Sequence, residues 1–158
     1  MKQFVYVIFL GATSLFSGCD SLRIMEENID FDQGIWDVDN KPGFIFEVSD
    51  LQEKYNIYFN VRNTVNYNYH NLYITYYLLS EEGEQLASDL KEVFLFHPKT
   101  GKPYGSGLGD IFEHQFILLE NQQFSKPGRY RLIIEQYMRV DSLTDILSVG
   151  VRAEKIAR

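Results

Sequence analysis

Leu72-Tyr73-Ile74-Thr75-Tyr76-Tyr77-Leu78-Leu79 is the stretch whose reading decides the fold. Leu72, Ile74, Tyr76 and Leu78 alternate with Tyr73, Thr75, Tyr77 and Leu79. A period of two is the signature of a strand, and aromatic and β-branched residues suit a pleated surface. Both sides of the run are rich in apolar or aromatic residues, which predicts a strand in the middle of a sheet. Glu82-Gly83 then closes it as a hairpin turn.

The pattern recurs outward in both directions. Phe44, Phe46 and Val48 share one face, with Ile45 and Glu47 on the other, and Asp50 ends the run. Ile57, Phe59 and Val61 alternate with Tyr58, Asn60 and Arg62. Further on come Val93, Leu95 and His97 against Phe94 and Phe96, then Phe112, His114, Phe116 and Leu118. After a turn at Pro127-Gly128 follow Tyr130, Leu132, Ile134, Gln136 and Met138, and finally Leu147, Val149, Val151 and Ala153. Gly, Pro, Asn and Asp separate the runs. There is no long amphipathic helix; Glu84–Lys91 and Ser142–Leu147 each have room for a helical turn. The expected fold is all-β: a single antiparallel β-sandwich of about seven or eight strands over residues 35–158, beginning at Ile35, Trp36 and Val38. Its connectivity stays open.

The N-terminus reads differently. Lys2 precedes an apolar or small run from Phe4 to Phe16, which ends in Leu15-Phe16-Ser17-Gly18-Cys19. Charge, apolar middle and small residues at a cleavage site make a secretory signal. A cysteine directly after the small residues makes it a bacterial lipoprotein signal, although Phe16 stands where Leu is commoner. Residues 1–18 are thus the expected signal peptide and Cys19 the acylated residue. Residues 19–34 are the expected tether, acidic at Glu26, Glu27, Asp30 and Asp32 and in part extended or mobile. The alternative is an ordinary signal peptide with a cysteine among the first mature residues. A membrane-spanning helix is disfavoured, because the run falls short of the roughly 20 residues required.

Removing residues 1–18 leaves 140 of the 158 residues and takes the formal charge from −7 to −8 as Lys2 is lost. That length makes one domain with a core large enough to need no disulfide. Cys19 is the one cysteine, so neither an intramolecular disulfide nor a cysteine metal cluster can form. An acidic chain is a poor ligand for nucleic acid, whose binding depends on Lys and Arg displacing counterions. It gains nothing from anionic headgroups either, so membrane attachment falls to the lipid.

Few segments suggest chemistry. Gly105-Ser106-Gly107-Leu108-Gly109-Asp110 is glycine-rich, but its spacing is not that of a dinucleotide fingerprint, and it reads as a loop with positive φ angles between two strands. Gly101-Lys102 is no Walker loop, since Pro103 follows. His70, His97 and His114 lack metal-site spacing; His97 and His114 could meet across a sheet, but half-buried or surface histidines are the simpler reading. Ser106, Ser125 and Ser148 have no nucleophile-elbow context, and no carboxylate pair stands out. No catalytic residue, cofactor site or metal site is assigned. The richest stretch runs from Val61 to Leu72, where asparagines close turns and tyrosines cover apolar neighbours while keeping a wet hydroxyl. A strand–turn–strand connection explains it simply. A functional reading makes Tyr67, Tyr69, Tyr73 and Tyr77, with Arg62 and Arg139, a contact surface of the residue types enriched at hot spots.

Several segments carry a family resemblance. Arg62-Asn63-Thr64, Tyr67-Asn68-Tyr69-His70-Asn71-Leu72, Gly105 to Ile111, Phe124 to Tyr130, Met138-Arg139 with Asp141 and Leu143, and Val149-Gly150-Val151-Arg152 resemble the gliding-motility lipoprotein H family, GldH, of the Bacteroidota. The resemblance runs in order from the lipoprotein signal to about Glu154. Asn68, where a proline is usual, and Tyr104 depart from the pattern in turn details. The resemblance implies a non-catalytic lipoprotein of the cell envelope that supports gliding motility and the associated type IX protein secretion. Only Cys19 is carried over as a functional residue. Contacts with other envelope proteins are the expected mode of action. The outer membrane is the expected anchor, with the domain in the periplasm. The competing reading is a lipid-anchored carbohydrate-binding sandwich, with the four tyrosines stacking on sugar. An enzyme, such as a hydrolase, ranks third.

Overall fold

Residues 21–157 are described by the computed structural model. The strands run β1 (Arg23–Asp30), β2 (Ile35–Asp37), β3 (Gly43–Val48), β4 (Tyr55–Thr64), β5 (Asn71–Leu79), β6 (Gln85–Phe94), β7 (Ser106–Leu108), β8 (Ile111–Gln122), β9 (Gly128–Gln136), β10 (Ser142–Thr144) and β11 (Ile146–Lys155). A short 3-10 turn, Asp32–Gly34, joins β1 to β2. One sheet has the order β1-β11-β4-β8-β7 and the facing sheet β3-β9-β5-β6; β2 and β10 form a third, two-stranded piece. Every pairing is antiparallel. As the alternation predicts, β5 is an interior strand of its sheet, between β9 and β6.

The alternation sorts core from surface. Ile57, Phe59, Val61, Val149 and Val151 are buried from the five-stranded side, and Phe44, Leu72, Ile74, Leu78, Leu132 and Ile134 from the other. At the Tyr55 end of β4, Phe46, Tyr55, Phe124 and Tyr130 form an aromatic cluster, with Phe124 and Tyr130 centroids 4.4 Å apart. At its other end Thr64 is held by Asp145, the residue between β10 and β11: its N–H donates to the Asp145 carbonyl at 3.0 Å and its hydroxyl to Oδ1 at 2.6 Å. Trp36 in β2 lies opposite Leu143 in β10, and both are buried.

Four expectations need correction. Among the described residues the strands number eleven rather than seven or eight. The stretch read as tether contributes β1, which pairs along β11 from Arg23 opposite Glu154 to Asp30 opposite Ser148. An edge strand has one neighbour, so it carries charge without loss, and its apolar residues Ile24, Met25 and Ile29 still pack against the core. Gly150 seats it: a Cβ there would overlap Asn28 Oδ1 and lie 2.5 Å from the Glu27 carbonyl oxygen. Glu84–Lys91 is not helical but mostly β6, and Ser142–Leu147 is β10 and the start of β11. His97 and Met138 fall beyond the ends of β6 and β9.

Candidate functional site

The residues of the expected contact surface divide between opposite faces of the sandwich. Tyr73 and Tyr77 stand on the outer face of β5, where both hydroxyls are engaged. Tyr73 donates to Glu92 Oε1 at 2.8 Å, and Asn71 Nδ2 donates to the same oxygen at 2.7 Å. These bonds hold the Glu92 carboxyl below its usual pKa range and push the Tyr73 hydroxyl above its own. Tyr77 donates to Glu135 Oε2 at 3.0 Å, while Lys41 Nζ sits 2.7 Å from Glu135 Oε1. Arg139, exposed just after β9, is near enough for its charge to act on Tyr73. Arg62 lies on the outer face of the other sheet, 3.8 Å from Glu113. Cys19 lies outside the described residues.

The four tyrosines do not form one platform. Tyr67 is 6% exposed, and its hydroxyl donates to the Asn71 carbonyl at 3.0 Å, closing the β4–β5 connection. Burial raises its pKa. Tyr69 is 38% exposed and meets Tyr67 edge to face, the planes 64° apart. The simpler reading of this stretch, a turn stitched by asparagine and tyrosine, accounts for Tyr67.

The glycine-rich segment is β7 and its turn rather than a loop of positive φ angles throughout. Only Gly109 within it has positive φ, +65°. Gly105 and Gly107 are set by close approach: a Cβ would overlap the Glu113 carbonyl oxygen at one and the Ile111 carbonyl oxygen at the other. Beside this hairpin lies a cleft of about 460 Å³ on the outer face of the five-stranded sheet. Sequence reading passed over it, because its side chains come from β1, β4 and β8. Gln115 donates to Asn60 Oδ1 at 2.9 Å, Asn60 donates to Glu26 Oε1 at 3.4 Å, and Arg152 lies 3.4 Å from Glu26. Such a surface offers donors and acceptors in fixed positions, with Tyr104 exposed at its rim. The outward asparagines of β4, Asn56 and Asn60, were the available signal.

His97 and His114 stand in different surroundings. His97 Nδ1 accepts from the Lys99 and Thr100 N–H groups and closes its own turn. No group of three or more metal-ligating side chains occurs among the described residues. His114 points into the core, 5% exposed, stacked on Phe116 at 5.9 Å, its Nε2 without a partner. Loss of water lowers its pKa from 6.5 to about 4. The unfolded chain therefore takes up a proton that the folded chain refuses. The stability this gives is full above the unfolded pKa and is lost as pH falls through the folded one, a change of about 3 kcal/mol. His114→Leu is expected to abolish that share of the pH dependence. It should change stability near neutral pH by no more than about 1 kcal/mol, since the unpaired nitrogen leaves too. Urea unfolding near neutrality and at about pH 4.5 compares the two proteins. A variant as acid-sensitive as its parent would refute the assignment.

Comparison with known proteins adds four findings. The family model for the GldH lipoprotein matches residues 23–153. A protein of Christiangramia forsetii called "gliding motility lipoprotein GldH homolog" is 31% identical, the match covering 98% of this chain and 97% of that protein. The "gliding motility lipoprotein GldH" of Flavobacterium johnsoniae is 30% identical over 94% of each. Among solved structures, the infectious bursal disease virus VP2 subviral particle overlays with a TM-score of 0.40 at 14% identity. That match covers 84% of this chain and 32% of the viral one.

Proposed function

Because this chain belongs to the GldH lipoprotein family, we propose that it is a lipid-anchored protein of the cell envelope that supports gliding motility and the associated type IX secretion. The observation that carries the reading is the match over almost the whole chain to relatives that are named for gliding motility. The protein acts by contact and turns over no substrate. Acylated Cys19 holds it to the membrane, the outer membrane in this reading, with residues 23–155 in the periplasm against other envelope proteins of the machine. The outer faces of the two sheets, with Tyr73, Tyr77 and Arg139 on one and Arg62 on the other, provide the contact surface.

Cross-linking the full chain in living cells, followed by recovery from membranes, tests this. Envelope proteins of the motility or secretion machinery are the expected captures, and recovery of none would defeat the proposal. A second reading, glycan binding, is favoured by the amide-lined cleft around Asn60 and Gln115 rather than by the tyrosines first considered. A glycan array separates the two: a signal abolished by Asn60→Ala supports the sugar, and silence removes it.

A further inference from the structure

The two sheets expose four edges, and they are not alike. β7 has 3 residues and β3 has 6. β1 has 8, but it carries Arg23, Glu26, Glu27 and Asp30 and a register irregularity. Short length, charge and bulges are the usual protections of an edge. β6 has 10 residues and pairs on one side only, with β5, among the described residues. It contains no proline, and its one irregularity lies at the turn end, opposite Leu78 and Leu79. Leu90 and Phe94 stand on the outer side of this edge, 49% and 40% exposed, and Leu86, the residue skipped in the register at the irregularity, is 46% exposed. Asp89 and Lys91 share the other side, 2.8 Å apart.

We propose that β6 pairs antiparallel with β6 of a second copy of this chain, on a two-fold axis through Leu90, joining the two four-stranded sheets into one. The sequence of the strand selects both the occupant and the register. With Leu90 on the axis, Leu90 faces Leu90 and Leu86 faces Phe94. Ala87 then faces Val93, Ser88 faces Glu92, and each Asp89 faces the Lys91 of the second copy. Apolar residues meet apolar ones and opposite charges meet, which is the arrangement that stabilises cross-strand neighbours. Moving the axis by one residue sets Asp89 against Asp89 or Lys91 against Lys91, and Leu90 against Ser88 or Glu92. A two-fold contact uses the same patch on both copies, and a strand that is its own complement meets that condition. The inference goes beyond the proposed function and does not depend on it.

The test uses the full chain in its native membrane. Leu90→Cys is expected to form a disulfide-linked species of twice the chain mass under mild oxidation. Ser88→Cys lies opposite Glu92, so its own copies are offset by about 13 Å along the strands and should cross-link about tenfold less. Combining Ser88→Cys with Glu92→Cys should restore the species. Adding Lys91→Asp to Leu90→Cys should lower it about tenfold through like charges, and a further Asp89→Lys should bring it back, which separates lost pairing from lost folding. Equal cross-linking at positions 88 and 90, no adduct at position 90, or an adduct of another mass would overturn the proposal. A normal dimer together with no captured envelope protein would overturn the contact function alone.

Discussion

Cys19→Ala is expected to mislocalise the protein on membrane fractionation and leave it as an uncut precursor. The physical case rests on what else could hold the chain to a bilayer. The chain without residues 1–18 carries a formal charge of −8, so anionic headgroups repel it on average. Among the described residues no helix is long and apolar enough to cross. The sandwich keeps its large apolar side chains mostly between its sheets, and those it exposes are spread over several strands and turns. Acyl chains remain. One contributes about 0.8 kcal/mol per buried CH₂ and binds only marginally against dilution, whereas two or more make release negligible. Without a thiol there is no acylation, and the lipoprotein-type cut before position 19 has no substrate. Density-gradient fractionation with immunoblotting reads both effects. A variant that fractionates and migrates like its parent would refute the anchor. Cys19→Ser, nearly the same size and without the thiol, should behave like the alanine variant.

How far the sequence carried is seen in individual strands. β5, β4 and β9 were legible because both the period and the apolar content are strong, and each is an interior strand of its sheet. β1 was misread as tether because Glu26 and Glu27 break the alternation; its pairing is fixed by a glycine on another strand, Gly150, more than a hundred residues away. β7 and β10, three residues each, carry too few side chains for a period to show. The first half of β6 is exposed on both sides, so its pattern resembled a polar helical turn. The four tyrosines fail to share one face for a related reason. Tyr67 shares the parity of Tyr73 and Tyr77, but the chain turns between Thr64 and Asn71, and parity does not pass through a turn. The Asn60–Gln115–Glu26 ladder was out of reach, because it depends on which strands are neighbours.

Trp36→Ala is expected to cost about 3–5 kcal/mol, a large part of the roughly 5–15 kcal/mol by which a domain of this kind is stable. Trp36 is the one tryptophan of the chain and is fully buried. Its ring stacks on Phe31, centroids 5.3 Å apart and planes within 15°, and its indole N–H donates to the Asn40 carbonyl at 2.8 Å. Leu143 lies opposite it across β2 and β10. Alanine would leave a void bounded by Phe31 and Leu143 and orphan the Asn40 carbonyl, and β2, three residues long, has little else to keep it in place. The loss should spread along a defined route. β10 would separate from β2, the Val38 N–H would lose the Asp141 carbonyl it binds at 2.7 Å, and Asp145 would be less firmly set against Thr64. Hydrogen exchange should accordingly quicken first at Val38 and Thr64, while the interior of β5 stays protected. Trp36→Phe keeps a stacking ring and gives up the N–H, so its cost should be nearer 1–2 kcal/mol. Because either change removes the only tryptophan, thermal unfolding is followed by circular dichroism, where the alanine variant should melt about 10 °C or more below its parent. A shift of only a degree or two would mean that the small β2–β10 sheet is an ornament on the sandwich rather than part of what holds it closed.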